Sequence, residues 1–194
     1  MLKFEIPELS DLKSQSMLLA VNRFFRGAGP KDWKAWALVL NYVRLVDLAV
    51  TEYEIARKAI LEFASSNETL LLDRPIQASG HFETSVTATK RAIDHLKALR
   101  SHCEVPQRLK DLVPRGITVL SGNVESKVTT MRDAIQHLEK DIKNGNISPG
   151  QAIALSPEKH NIELGRCSIR YSDLADWLRE LHSLSVKLTS YWES

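Results

Sequence analysis

KDWKAWALVLNYVRLVDLAVTEYEIARKAILEFAS, Lys31–Ser65, is the stretch whose reading decides the fold class. Trp36, Leu40, Val43, Val46, Val50, Tyr53 and Ile60 recur at the three-, four- and seven-residue steps that line up on one side of a helix. The segment is therefore expected to be one long helix, or two joined nearly end to end. Upstream, Gly27-Ala28-Gly29-Pro30 is a strong breaker that ends a first helix expected from about Leu9 to Arg26. Downstream, Asn67–Ser79 holds Pro75 and turn formers, so it is read as a loop.

Ser79 or Gly80 is expected to open a third helix to about His102, with Phe82, Val86, Ile93 and Leu96 inward. Pro106–Val113 fits a short helix before Pro114. A fourth long helix is expected over Asn123–Lys143, stopped by Asn144-Gly145-Asn146. Ser148–Ser172 is the non-helical region. Its short, partly alternating runs at Ala152–Leu155 and Asn161–Tyr171, around Pro157 and Gly165, fit a small hairpin or an ordered loop. Ser172 or Asp173 can cap a last helix with Leu174, Trp177, Leu178, Leu181, Leu184, Leu188 and Trp192 on one side. The expected fold is all-α: an up-and-down bundle of four to five main helices, with a short β-hairpin or loop insertion before the last.

Bulk properties narrow the function classes. A chain of 194 residues is long enough for one domain, or a domain with a small appendage. A formal charge of +2 argues against a protein held to nucleic acid by bulk charge, though not against a local basic site. Cys103 and Cys167 lack metal-ligand spacing and are too few for a disulfide framework, so a reduced, cytoplasmic setting is expected. No run approaches the roughly eighteen apolar residues that would span a bilayer, and no membrane partner is expected. Met1–Glu8 carries charges and Pro7 where a signal peptide needs an apolar run. The glycosylation triplets at Asn67 and Asn146 therefore carry no weight.

The segment that carries chemistry lies on the fourth helix. On a helical wheel Val124, Val128, Met131, Ile135, Leu138 and Ile142 fall in a narrow stripe, the expected core face. Arg132 lies at the edge of that stripe, and Asp133 and His137 lie on the polar side. His137 stands four residues from both Asp133 and Asp141, within reach of either carboxylate. Arg132 and His137 are separated by about 7.5 Å of rise and about 140° of rotation. One helix therefore does not easily aim both side chains at one atom, though long side chains, or a second copy of the helix, could.

Arginine beside histidine is what phosphodiester cleavage without a metal needs. Imidazole can take a proton from a ribose 2′-hydroxyl or give one to the leaving oxygen. The guanidinium holds phosphate through a planar fork of donors. The run Arg132-Asp133-Ala134-Ile135-Gln136-His137 resembles the Arg-polar-x-x-x-His signature of the HEPN superfamily. The likeness covers roughly Ser121–Trp192: the motif helix continues in Glu139-Lys140-Asp141, then come Gly145, a loop or hairpin, and a Leu-rich final helix.

The resemblance implies a single HEPN-like domain over 1–194, with N-terminal helices in 1–66 and motif-bearing helices in 79–194. It also implies a homodimer with facing motif helices, and a composite site that cleaves RNA with no cofactor, as in toxin–antitoxin or phage-defence systems. Arg132 would bind phosphate, His137 would act as acid or base, and Asp133 would orient the site. Some relatives pair with a nucleotidyltransferase that modifies a Tyr two residues past the His; Glu139 stands there in this chain. The rival expectations are a non-catalytic interaction or dimerisation module, and a partner of an antitoxin or nucleotidyltransferase.

Other candidates rank below this one. Arg91-Ala92-Ile93-Asp94-His95 is one residue short of the motif, and His95 lies off its helix's core stripe. Arg100, His102, Arg108, Lys110 and Arg115 form a basic stretch that would guide an RNA backbone or simply face water. Trp33, Trp36, Trp177 and Trp192 are read as core or interface anchors. His81, His160 and His182 have no metal-like partners, and Gly27-Ala28-Gly29 is a linker and not a phosphate loop.

Overall fold

The apolar periodicity of Lys31–Ser65 produces a single unbroken helix. A computed structural model describes residues 4–27, 29–65, 73–102, 105–114, 116–145, 154–156, 159–165 and 167–191. In chain order these form α1 (Ser16–Arg26), α2 (Trp33–Ser65), α3 (Asp73–Ser101), α4 (Gln107–Asp111) and a 3₁₀ turn at Thr118–Leu120. After the turn come α5 (Gly122–Lys143), β1 (Ala154–Ser156), β2 (Asn161–Leu164), β3 (Cys167–Arg170) and α6 (Tyr171–Ser190).

The long helix α2 is the axis of the molecule. Tyr42, Val43, Leu45, Val46, Ala49 and Tyr53 are all buried, more than a single face, because α3 and α6 pack on different sides of it. The register shows both pairings to be antiparallel. Along α3, Phe82 meets Tyr53 edge-on while Ser85 donates to the Ala49 carbonyl (2.8 Å). Along α6, the Tyr42 hydroxyl donates to the Leu181 carbonyl (2.8 Å), and Tyr171 stacks on Phe82 nearer the other end of α2. One contiguous apolar core joins these helices to Val124, Val128 and Met131 of α5, and to Ile162, Leu164 and Ile169 of the strands. The all-α bundle with a small insertion before its last helix is thus the observed fold, and the insertion is a three-stranded antiparallel sheet in the order β1-β2-β3.

Three boundaries differ from expectation. The last helix begins at Tyr171, so Ser172 and Asp173 lie inside its first turn and do not cap it. The first helix begins at Ser16 and not near Leu9, because the preceding backbone is tied down by side chains of α2 and α6. The Leu9 N–H donates to Glu54 (2.5 Å), His182 Nε2 lies 2.7 Å from the Lys13 carbonyl, and the Gln15 N–H donates to Asp47 (3.0 Å), while Arg57, Tyr53 and Arg179 hold the Ile6, Pro7 and Glu8 carbonyls just before. Backbone groups satisfied this way do not need a helix. The third helix begins at Asp73, so part of the expected loop is helical. Pro75 sits in its first turn, where the missing N–H would have had no partner in any case.

Helix ends are closed by distant side chains. The Asp47 carboxylate on α2 accepts from the backbone N–H groups of Gln15 (3.0 Å) and Ser16 (2.8 Å) and from the Ser14 hydroxyl (2.6 Å) at the start of α1. The Glu180 carboxylate on α6 accepts from the N–H groups of Thr118 (2.8 Å) and Val119 (2.9 Å), pinning the turn that leads into α5.

Candidate functional site

Helix α5 starts where the Ser121 side chain accepts from the Val124 N–H. Lys97 of α3 reaches Glu125 in its first turn (2.8 Å), and Thr130 offers its carbonyl to Cys167 Sγ of β3 (3.9 Å). These contacts hold the N-terminal half of α5. Burial thins out beyond it. Val124, Val128 and Met131 are buried; Ile135 and Leu138 are half-buried; Ile142, the last member of the apolar stripe, is 54% exposed. The stripe therefore continues past the point where the described residues cover it, and the Arg132–His137 run sits at that transition.

Arg132, at the edge of the stripe, lies partly buried along the bundle. Its Nε is shielded from solvent and has no hydrogen-bond partner among the described residues. Its Nη1 donates to Asp133 Oδ1 at 2.6 Å. His137 is exposed and has no hydrogen-bond or ion-pair partner among the described residues. The expected Asp133–His137 contact is therefore replaced by an Arg132–Asp133 pair, because a full opposite charge next in sequence attracts the carboxylate more strongly than a ring one turn away. The wheel placed all three side chains on the correct faces. Within one chain, however, only Arg132 and Asp133 meet.

The basic stretch is split. Arg100, at the end of α3, and Lys110, of α4, line a polar cavity of about 420 Å³ together with Gln107 and Asp111. Arg108 is exposed and does not line it, and Arg115 lies outside the described residues, as do Cys103 and Trp192. Arg132 lies seven residues beyond Glu125, about 10 Å of helix rise from the end of α5 nearest Arg100. The cavity and the motif are thus separate features.

The remaining histidines have structural partners. His81 Nδ1 lies 2.6 Å from Glu52, His182 Nε2 2.7 Å from the Lys13 carbonyl, and His102 Nε2 3.5 Å from Asp32. His95, half-buried, bonds its own helix at the Arg91 carbonyl. His160 sits at φ 51° beside a cavity of about 600 Å³ formed by Glu5, Ile6, Pro7, Lys159, Arg170 and Ser172. No group of three or more His, Cys, Asp or Glu side chains is placed to hold a metal among the described residues. No helix among them is long and apolar enough to cross a membrane. The tryptophans divide: Trp177 is buried and Trp36 half-buried against Arg23, but Trp33 is 71% exposed, so the core reading fails for it.

Compared with protein-family models, curated proteins and solved structures, the chain matches none.

Proposed function

We propose that this chain is a HEPN-like endoribonuclease that works as a homodimer, with Arg132 of one copy and His137 of the other meeting across paired α5 helices. The observation that carries the proposal is that cover on α5 thins along the motif and is lost by Ile142: Ile135 and Leu138 are half-buried, Ile142 is exposed, and among the described residues His137 has no partner and the buried Arg132 Nε no acceptor. A second α5 laid along the polar side of this half, where His137 points outward, would bring two motifs together.

The chemistry follows from the residue types. His137 takes the proton of a ribose 2′-hydroxyl as that oxygen attacks the adjacent phosphorus. The bond from phosphorus to the 5′-oxygen breaks, and the leaving oxygen takes up a proton. The products are a 2′,3′-cyclic phosphate and a 5′-hydroxyl. Arg132 holds the phosphoryl oxygens as charge builds on them. Asp133, paired with Arg132 at 2.6 Å, orients the guanidinium. None of these steps calls for a metal, so the activity is expected to persist in EDTA.

The test is cleavage of mixed RNA in EDTA by the wild type, Arg132→Ala and His137→Ala. The proposal expects cyclic-phosphate ends from the wild type and a loss of roughly 10²-fold or more in each variant. Intact RNA throughout, or equal cutting by all three, would refute it. The uncovered half of α5 also supports a second reading, in which the helix packs on its copy, or on an antitoxin or nucleotidyltransferase, without chemistry. That reading expects a dimer or complex lost in Ile142→Asp and no RNA cleavage.

A further inference from the structure

Helix α1 faces the wrong way for a core element. At about 100° per residue, Met17, Leu18, Val21, Phe24 and Phe25 fall on one broad arc, and Leu19 and Asn22 on the other. It is Leu19 and Asn22 that are buried, while the apolar arc is turned outward. Met17 is 76% exposed, Phe24 89% and Phe25 81%, and Trp33, eight residues past Phe25, is 71% exposed. Single exposed apolar residues are ordinary, but an aromatic-rich helical face is a contact surface waiting for an occupant.

Charge selects the occupant. From Lys13 to Lys34 the ionisable residues are Lys13, Arg23, Arg26, Lys31, Asp32 and Lys34, five cations and one anion. That one carboxylate is engaged in the fold: Asp32 accepts from the Ala35 N–H at the start of α2 (2.7 Å) and faces His102. The exposed cations of this segment are Lys13, Lys31 and Lys34, since Arg23 is drawn back over Trp36, and a second copy would bring them no exposed carboxylate from residues 13–34. An anionic bilayer surface offers the opposite charge together with an apolar layer for the aromatic rings.

We propose that α1 and the turn behind it lie on anionic lipid, with Phe24, Phe25 and Trp33 at the headgroup boundary and Lys31 and Lys34 on the phosphates. The helix has 11 residues and lies along the surface without crossing it. This inference is independent of the reading of α5.

Flotation of the purified chain with phosphatidylcholine vesicles, with and without phosphatidylserine, tests it. The expected result is co-flotation with the phosphatidylserine vesicles and a blue shift of Trp33 fluorescence that Trp33→Phe removes. Phe24→Ser with Phe25→Ser is expected to weaken binding at least about tenfold, as is Lys31→Glu with Lys34→Glu. Phe24 and Phe25 are exposed, so an unchanged circular-dichroism melt is expected for that pair and separates lost binding from lost folding. Failure to float, or equal flotation by the aromatic variant, would overturn the proposal. So would sedimentation showing a dimer that the aromatic variant abolishes while no vesicle binding is seen.

Discussion

Removing the Asp47 carboxylate tests how α1 is held, since its most apolar face does nothing for its own attachment. Among the described side chains of α1 only Leu19 and Asn22 are buried, so the cap from α2 supplies a large share of the docking. Asp47→Ala strips acceptors from the Gln15 and Ser16 N–H groups and from the Ser14 hydroxyl. These groups are only partly buried, so water replaces some of what is lost. The loss then resembles that of a helix cap, about 0.5–2 kcal/mol, plus about 0.3–1 kcal/mol for a negative charge at a helix N-terminus. The expected total is about 1–3 kcal/mol, roughly 5- to 150-fold in the local opening equilibrium. Hydrogen exchange reads this directly: the amides of Leu19–Arg26 are expected to exchange faster by about that factor, while those of Tyr42–Tyr53 change far less. Asp47→Asn, which keeps one acceptor and loses the charge, is expected to fall between. Unchanged exchange in α1, or equal acceleration across α1 and α2, would refute the reasoning.

Two further predictions concern the core. Tyr42→Phe removes the hydroxyl that donates to the Leu181 carbonyl at a fully buried site, and is expected to cost about 1 kcal/mol. Calorimetry would read this as a drop in Tm of about 2–4 °C, and no shift would contradict the bond's importance. Burial holds the Glu83 carboxyl above its ordinary range. The folded chain therefore keeps a proton that the unfolded chain releases, and this group's contribution to stability falls as pH rises through the ordinary glutamate range. Glu83→Gln is expected to raise Tm at neutral pH and to lose that gain in acid, below the unfolded value; an equal gain at both pH values would count against it.

What the sequence made legible follows from where free energy is local. The long helix α2 shows in the spacing of Val43, Val46, Val50, Tyr53 and Ile60, all buried, because apolar period and burial are one fact there. The stop after α5 likewise showed in its residues: Gly145 takes φ 70°, the left-handed conformation that glycine adopts without penalty. Residues 9–15 read as helix because Leu9 and Leu12 mimic helical spacing, while the groups that hold this backbone, Asp47, Glu54 and His182, are far away in sequence. Pro75 misled in the opposite direction, since a helix start and a loop both admit proline.

At the candidate site the wheel identified the outward side of His137 and the edge position of Arg132. It could not show that Asp133 pairs with Arg132, since that depends on rotamers, nor that the stripe loses cover at Ile142, which depends on how far β3 and α3 extend along α5. The outward turn of α1 was hidden for a related reason. Its sequence is amphipathic, and amphipathicity alone does not say which face its own chain covers.

Arg132 and His137 are proposed to act across two chains, and mixing two dead variants tests this. Arg132→Ala retains its histidine and His137→Ala its arginine. Unfolded together and refolded as a mixed dimer, they would place one intact Arg–His pair across the interface. Each variant alone is expected to leave RNA whole in EDTA, and the mixture to regain cyclic-phosphate-forming cleavage to within about an order of magnitude of the wild type. Two inactive variants that form mixed dimers and stay inactive would contradict a site shared between copies.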